Sequence, residues 1–124
     1  MKKRVLLSIH PEYANAIFAG EKGFEFRRVI FKEDVSEVVV YATSPISRVI
    51  GCFKIEEIYQ DTPGELWVKT EARAGVTREM FDSYFKDRVK AFAIKVSEPT
   101  RFSRPQPLSK YLPSNTPPQS FCYI

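Results

Sequence analysis

The chain has 124 residues, a formal net charge of +4 and a pI near 9.1, with 44% hydrophobic and 14% aromatic residues. This is one domain's length with enough apolar material to close a core unaided, which excludes a disordered or fibrous chain. The basic excess favours polyanionic partners, yet 15 acidic residues are interspersed with the 19 basic ones, so the charge forms no histone-like block.

In chain order, Lys3 to Ile9 reads as a strand, rich in aliphatic residues and halted at His10-Pro11. Its apolar run is too short for a signal h-region or a membrane span, so a soluble, cytoplasmic protein is expected. Pro11 suits the first position of a helix over Glu12 to Phe18, which Gly20 closes. Lys22 to Ile30 alternates as a strand, with Phe24 and Phe26 on one face and Glu25 and Arg27 on the other.

The run Val38 to Ala42 predicts a strand covered on both faces, broken by Thr43-Ser44-Pro45. Arg48 to Tyr59 predicts a long strand in which Gly51 marks a bulge or a tight bend. Glu65 to Arg73 reads as a helix ended near Gly75, and Thr77 caps another that carries Phe81, Tyr84 and Phe85 on one face. A strand over Arg88 to Val96 follows, then a stretch of loop around Pro99, Pro105 and Pro107, one helical turn over Leu108 to Leu112, and a short last strand that packs Ile124. Five to six strands with short helices inserted predict a mixed α/β (α+β) domain over residues 1–124, its sheet curling toward a barrel.

Cys52, Cys122 and His10 are too few soft ligands for a zinc site, so neither a metal nor another cofactor is expected. Both cysteines read as small buried thiols of a reducing compartment. The candidate chemistry sits in Gly20-Glu21-Lys22-Gly23-Phe24-Glu25-Phe26-Arg27-Arg28, where a helix end meets a strand start. Side chains at such a junction can face a cleft, and a glutamate between two cations stays ionised and orients both. The set would suit a phosphate, a carboxylate or a polar base edge; a solvated strand face with an ordinary ion pair is the plain alternative.

Gly20-x-Lys22-x-x-Glu25-x-Arg27 resembles the GxKxxExR signature of the ASCH domain, and Tyr41 to Pro45, Val49 to Gly51, Phe85 to Ile94 and Pro118 to Phe121 resemble further pieces of that family in the same order. The resemblance implies a PUA-like β-barrel whose cleft lies between the motif segment and the loop after the third strand. It also implies an RNA or nucleotide-like ligand. Lys22, Glu25 and Arg27 then fall on the motif, and Thr43 and Ser44 on the neighbouring loop, where hydroxyls serve as donors or acceptors.

One branch of the family hydrolyses the amide of acetylated cytidine with a lysine and a threonine of this segment and a glutamate from elsewhere. Here the lysine is Lys22, while Glu25 stands at the threonine's place and removes the hydroxyl nucleophile. Glu25 is also expected to keep the Lys22 ammonium charged, against a role as base. Another relative is a ribonuclease.

Two main readings result, beside a third, a protein-interaction module, which an exposed apolar patch around Trp67 would favour. The favoured one is an RNA- or nucleotide-binding module, regulatory in transcription or translation; the alternative is a small amidohydrolase or ribonuclease-like enzyme on a modified nucleoside or RNA, with Lys22 as its catalytic group. Arg27 is expected to meet the ligand, so that its loss weakens binding more than folding. Trp67 either offers a base-stacking platform or packs its helix on the barrel. Ser8 can flank the cleft, His10 can meet a phosphate, and Arg48, Arg101 and Arg104 can extend a basic rim.

Overall fold

A computed structural model describes residues 2–124. Six strands form one curled sheet in the order β2-β5-β4-β3-β1-β6, a half-barrel with β2 and β6 at its edges. They are β1 (Lys3–Ile9), β2 (Phe24–Arg27), β3 (Val35–Ala42), β4 (Arg48–Asp61), β5 (Ala91–Gln106) and β6 (Phe121–Tyr123). β1 runs parallel to β3, while the other neighbouring pairs are antiparallel. Three short helices are inserted: α1 (Pro11–Phe18), α2 (Pro63–Thr70) and α3 (Arg78–Tyr84).

Side-chain alternation explains why the central strands are apolar throughout. Val5, Leu7 and Ile9 of β1 and Val38, Val40 and Ala42 of β3 enter a main core with Ala14 and Ile17 of α1. Leu6, Val39 and Tyr41 point the other way, into a smaller core with Val49 and Leu108. A third cluster joins Phe24 and Phe26 of β2 to Leu66 and Trp67 of α2 and to Phe81 and Phe85 around α3. Burial on both faces is what turns alternating positions into continuous hydrophobic runs.

The helices are too short to stand alone, and caps and packing hold them. Thr62 Oγ1 accepts from Glu65 N at 3.4 Å, and Thr77 Oγ1 accepts from Met80 N at 3.1 Å. His10 caps α1, its Nδ1 accepting from Glu12 N at 3.3 Å. Gly51 has the close approach anticipated for it: a Cβ there would lie 2.5 Å from Thr100 O and 2.6 Å from Phe18 Cζ, and the register of β4 against β5 shifts beside it.

Two segments differ from the sequence reading. β2 spans Phe24–Arg27 and stops short of Ile30, because Arg28 turns onto α3 and donates from Nε to Tyr84 O at 2.9 Å. β5 instead runs on through Pro99 and Pro105 to Gln106. Those prolines are tolerated for two reasons. β2 pairs only with Phe92 to Lys95, so the later half of β5 has no neighbour on that side. Pro99 also falls in an irregular step of the β4 pairing, beside Glu98 with φ of 48°.

Candidate functional site

A cavity of about 470 Å³ opens at the seam between the two edges of the half-barrel. β1 and the start of α1 supply Ser8, His10 and Tyr13; the motif segment supplies Lys22, Glu25, Phe26, Arg27 and Arg28. Met80, Phe81 and Tyr84 come from α3, and Gln119 and Ser120 from the segment before β6. Four lysine or arginine side chains (Lys22, Arg27, Arg28, Arg88) share this lining with one carboxylate, Glu25.

Lys22 is 2% exposed. Its Nζ donates to Ala74 O at 2.9 Å and lies 4.6 Å from the Phe26 ring centroid and 5.4 Å from that of Tyr13. Gly75, with φ of +68°, makes room for it: a Cβ at Gly75 would fall 2.6 Å from Lys22 Cβ and Cγ. Burial pushes the Lys22 amine below its ordinary range, and the negative charge of Glu25 opposes this only in part. Burial and Glu25 thus act on Lys22 in opposite directions, burial the more strongly, while Glu25 makes its direct ion pair with another cation.

Its partner is Arg27, whose Nη1 lies 3.1 Å from Glu25 Oε2. Arg27 Nη2 donates to Ser120 O at 3.2 Å and Ser120 Oγ at 2.7 Å, and Nη1 reaches Ser8 O at 3.4 Å. One guanidinium therefore ties edge strand β2 to β1 and to the approach of β6, closing by side chain a seam that no backbone ladder closes. Ser8 Oγ adds a bond to Pro118 O at 2.6 Å. Arg27 thus stands in the cavity wall with both terminal nitrogens engaged by Glu25, Ser8 and Ser120.

The structure gathers Lys22, Glu25 and Arg27 at this hollow together with Ser8 and His10, and leaves Thr43, Ser44, Trp67, Arg48, Arg101 and Arg104 outside its lining. Thr43 is half-buried at the end of β3, its N–H donating to Ile9 O at 3.0 Å, and Ser44 is exposed in the following turn. Trp67 is 8% exposed and packs at 5.0 Å between centroids against Phe81, on the core side of α2. Arg48, Arg101 and Arg104 do not line the cavity; Arg101 donates to Asn15 Oδ1 at 3.0 Å and lies over Phe18.

Sequence reasoning passes over Tyr13, Tyr84, Arg28 and Arg88. Helical spacing puts Tyr84 in the core with Phe85, yet its ring lines the cavity with the Arg28 guanidinium 4.4 Å from its centroid. The one signal for Arg28 is its place directly after the motif arginine. Tyr13 carries none beyond helical spacing. Among the described residues no group of three or more His, Cys, Asp or Glu side chains is placed to hold a metal ion, and no helix is long and apolar enough to cross a membrane.

A curled six-stranded half-barrel with short inserted helices, its hollow at the seam, defines a PUA-like fold. More narrowly, the chain belongs to the ASCH domain family, whose model matches residues 7–100. It is 31% identical over 126 residues to the ASCH domain-containing ribonuclease of Zymomonas mobilis, covering 99% of this chain and 85% of that one. The crystal structure of an ASCH protein from Zymomonas mobilis superimposes with a TM-score of 0.91 at 32% identity, over 98% of this chain and 87% of that chain. A Tyr-to-Phe variant from the same organism gives the same score at 31% identity, over 99% of this chain and 91% of that one.

Proposed function

We propose that this domain binds RNA, holding a nucleotide in the seam cavity with Lys22 at its wall. One observation carries the reading: the Lys22 ammonium is almost wholly withdrawn from water, without a carboxylate in contact, between two aromatic rings of a hollow whose cations outnumber its acids four to one. Withdrawing a cation from water is costly unless a counter-charge completes the site. A phosphate or a polar base edge supplies that complement, and Phe26, Tyr13 and Tyr84 offer the flat apolar surface on which bases stack. Glu25 and Arg27 fix the wall. Thr43, Ser44 and Trp67 lie outside this proposed site.

A cellular role in transcription or translation, in the cytoplasm, accords with an RNA ligand. Replacing Lys22 by Met keeps the unbranched stem and removes the charged nitrogen. RNA affinity, followed by fluorescence anisotropy, should fall about 10- to 100-fold, as expected for loss of a hydrogen bond to a charged group. Absence of RNA binding by the parent chain, or unchanged affinity in the variant, contradicts the reading.

A second reading, RNA cleavage, is favoured by the relative named as a ribonuclease and by the lowered pKa of Lys22. A buried amine that releases its proton more readily can accept one from a ribose hydroxyl. Cleavage of labelled RNA by the parent chain and its disappearance in Lys22→Met would support it; intact RNA after prolonged incubation would leave binding alone.

A further inference from the structure

We propose that Arg28 and Arg88, with the exposed Lys86 and Lys90 flanking Arg88, form the phosphate-holding rim over which an RNA strand leaves the cavity; this rests on the RNA-binding reading of the cavity itself. Arg28 and Arg88 both line the cavity and are both exposed, so they stand where its interior meets solvent. None of the four cations has an ion-pair partner among the described residues, and of the cations without one, Arg28 and Arg88 are, with the buried Lys22, those that line the cavity. A cation with no internal partner is free to exchange its counterion for a phosphate.

Local geometry holds this rim to the cavity. Arg28 stacks on Tyr84 and donates to Tyr84 O, which fixes the motif strand to the last turn of α3. The turn that follows bends at Asp87, with φ of 62°, and is closed by Arg88 N donating to Phe85 O at 3.0 Å. Lys86, Arg88 and Lys90 thus follow directly on an element of the cavity wall. Asp87 is the one acid within the loop, so three cations stand against one anion there.

Val29 at 57% and Val89 at 78% exposure sit beside Arg28 and Arg88 in the chain. Exposed aliphatic groups next to unpaired guanidinium groups offer a sugar or a base edge an apolar surface while the phosphates are held. A purely protein partner would be served by the same apolar groups, but it would not need four unpaired cations at the mouth of a cavity already rich in positive charge.

The test is the salt dependence of affinity for a short labelled RNA. Removing one cation that neutralises a phosphate of a single strand should reduce the magnitude of the log–log slope by about 0.7. Arg88→Ala/Lys90→Ala should therefore flatten it by about 1.4 and weaken binding at low salt. Arg28→Gln, which removes the charge and shortens the side chain's hold on Tyr84, should flatten it by about 0.7, with thermal unfolding to check that the variant is folded. Arg48→Ala/Lys110→Ala, which alters cations outside the cavity lining, should leave the slope unchanged. An unaltered slope in Arg88→Ala/Lys90→Ala, with RNA still bound, overturns the rim and spares the cavity. An equal flattening in Arg48→Ala/Lys110→Ala overturns it too, since the effect would then be that of overall charge. Failure of the parent chain to bind RNA overturns the rim and the cavity reading together.

Discussion

Replacing Arg27 by Ala tests what holds the half-barrel closed. The side chain makes one ion pair and three hydrogen bonds, to Glu25, Ser8 and Ser120, and all are lost at once. Glu25, only 5% exposed, is then left as an uncompensated buried carboxylate. Breaking a buried pair from one side costs about 3–5 kcal/mol, a large part of the roughly 5–15 kcal/mol by which such domains are stable. With a urea slope of about 1.5 kcal/mol/M, the unfolding midpoint should fall by about 2–3 M. Adding Glu25→Gln to Arg27→Ala removes the stranded charge and should restore about 1–2 kcal/mol. RNA affinity per folded molecule should change less than with Lys22→Met. A loss under about 1 kcal/mol in Arg27→Ala, or no recovery in the double variant, would refute the seam. From sequence, Arg27 is expected to meet the ligand, its loss weakening binding more than folding; the bonds it makes across the seam predict instead that folding suffers more.

Three further outcomes follow from the same geometry. Trp67→Ala should cost about 3–5 kcal/mol in chemical unfolding, because it empties a packed site against Phe81, and leave RNA affinity unchanged at temperatures where the variant is folded. Gly75→Ala meets both a φ of +68° and the Lys22 side chain; it should cost about 1–3 kcal/mol and weaken RNA binding by displacing the ammonium. Lys22 gives a pH signature. Its folded-state pKa lies below the ordinary 10.5, so between those values the unfolded chain binds more protons and stability rises with pH. Below the folded-state value both forms are charged and the slope vanishes. Unfolding free energies of parent and Lys22→Met, compared from about pH 7 to pH 10, should diverge in the parent's favour as pH rises; parallel curves would show that burial does not shift this amine.

Much of the fold is legible in the sequence because its elements announce themselves by local rules. β1 and β3 read correctly from apolar runs, α1 from Pro11 and its spacing, and α3 from its Thr77 cap. The end of β5 is not legible, because Pro99 and Pro105 are strand breakers in a paired strand, and only the sheet order shows that they lie beside an unpaired edge and in an irregular step. Lys22, Glu25 and Arg27 stand out as a cluster through the motif, but their separate roles do not. That one guanidinium spans to Ser120, far along the chain, is a fact of closure which local pattern does not encode. Trp67 illustrates the same limit from the other side: the residue type fits a base platform and a core equally well, and only the packing of α2 against Phe81 places it.

The most direct measurement is an NMR titration of the 14.3 kDa chain with a short RNA, following backbone amide shifts. The account predicts that the largest changes fall together on Ser8 to Tyr13, Lys22 to Val29, Val76 to Tyr84 and Gln119 to Ser120, the four stretches that meet around the seam. Changes centred on Thr43, Ser44 and the face of the sheet away from Lys22, with those four stretches still, would contradict it.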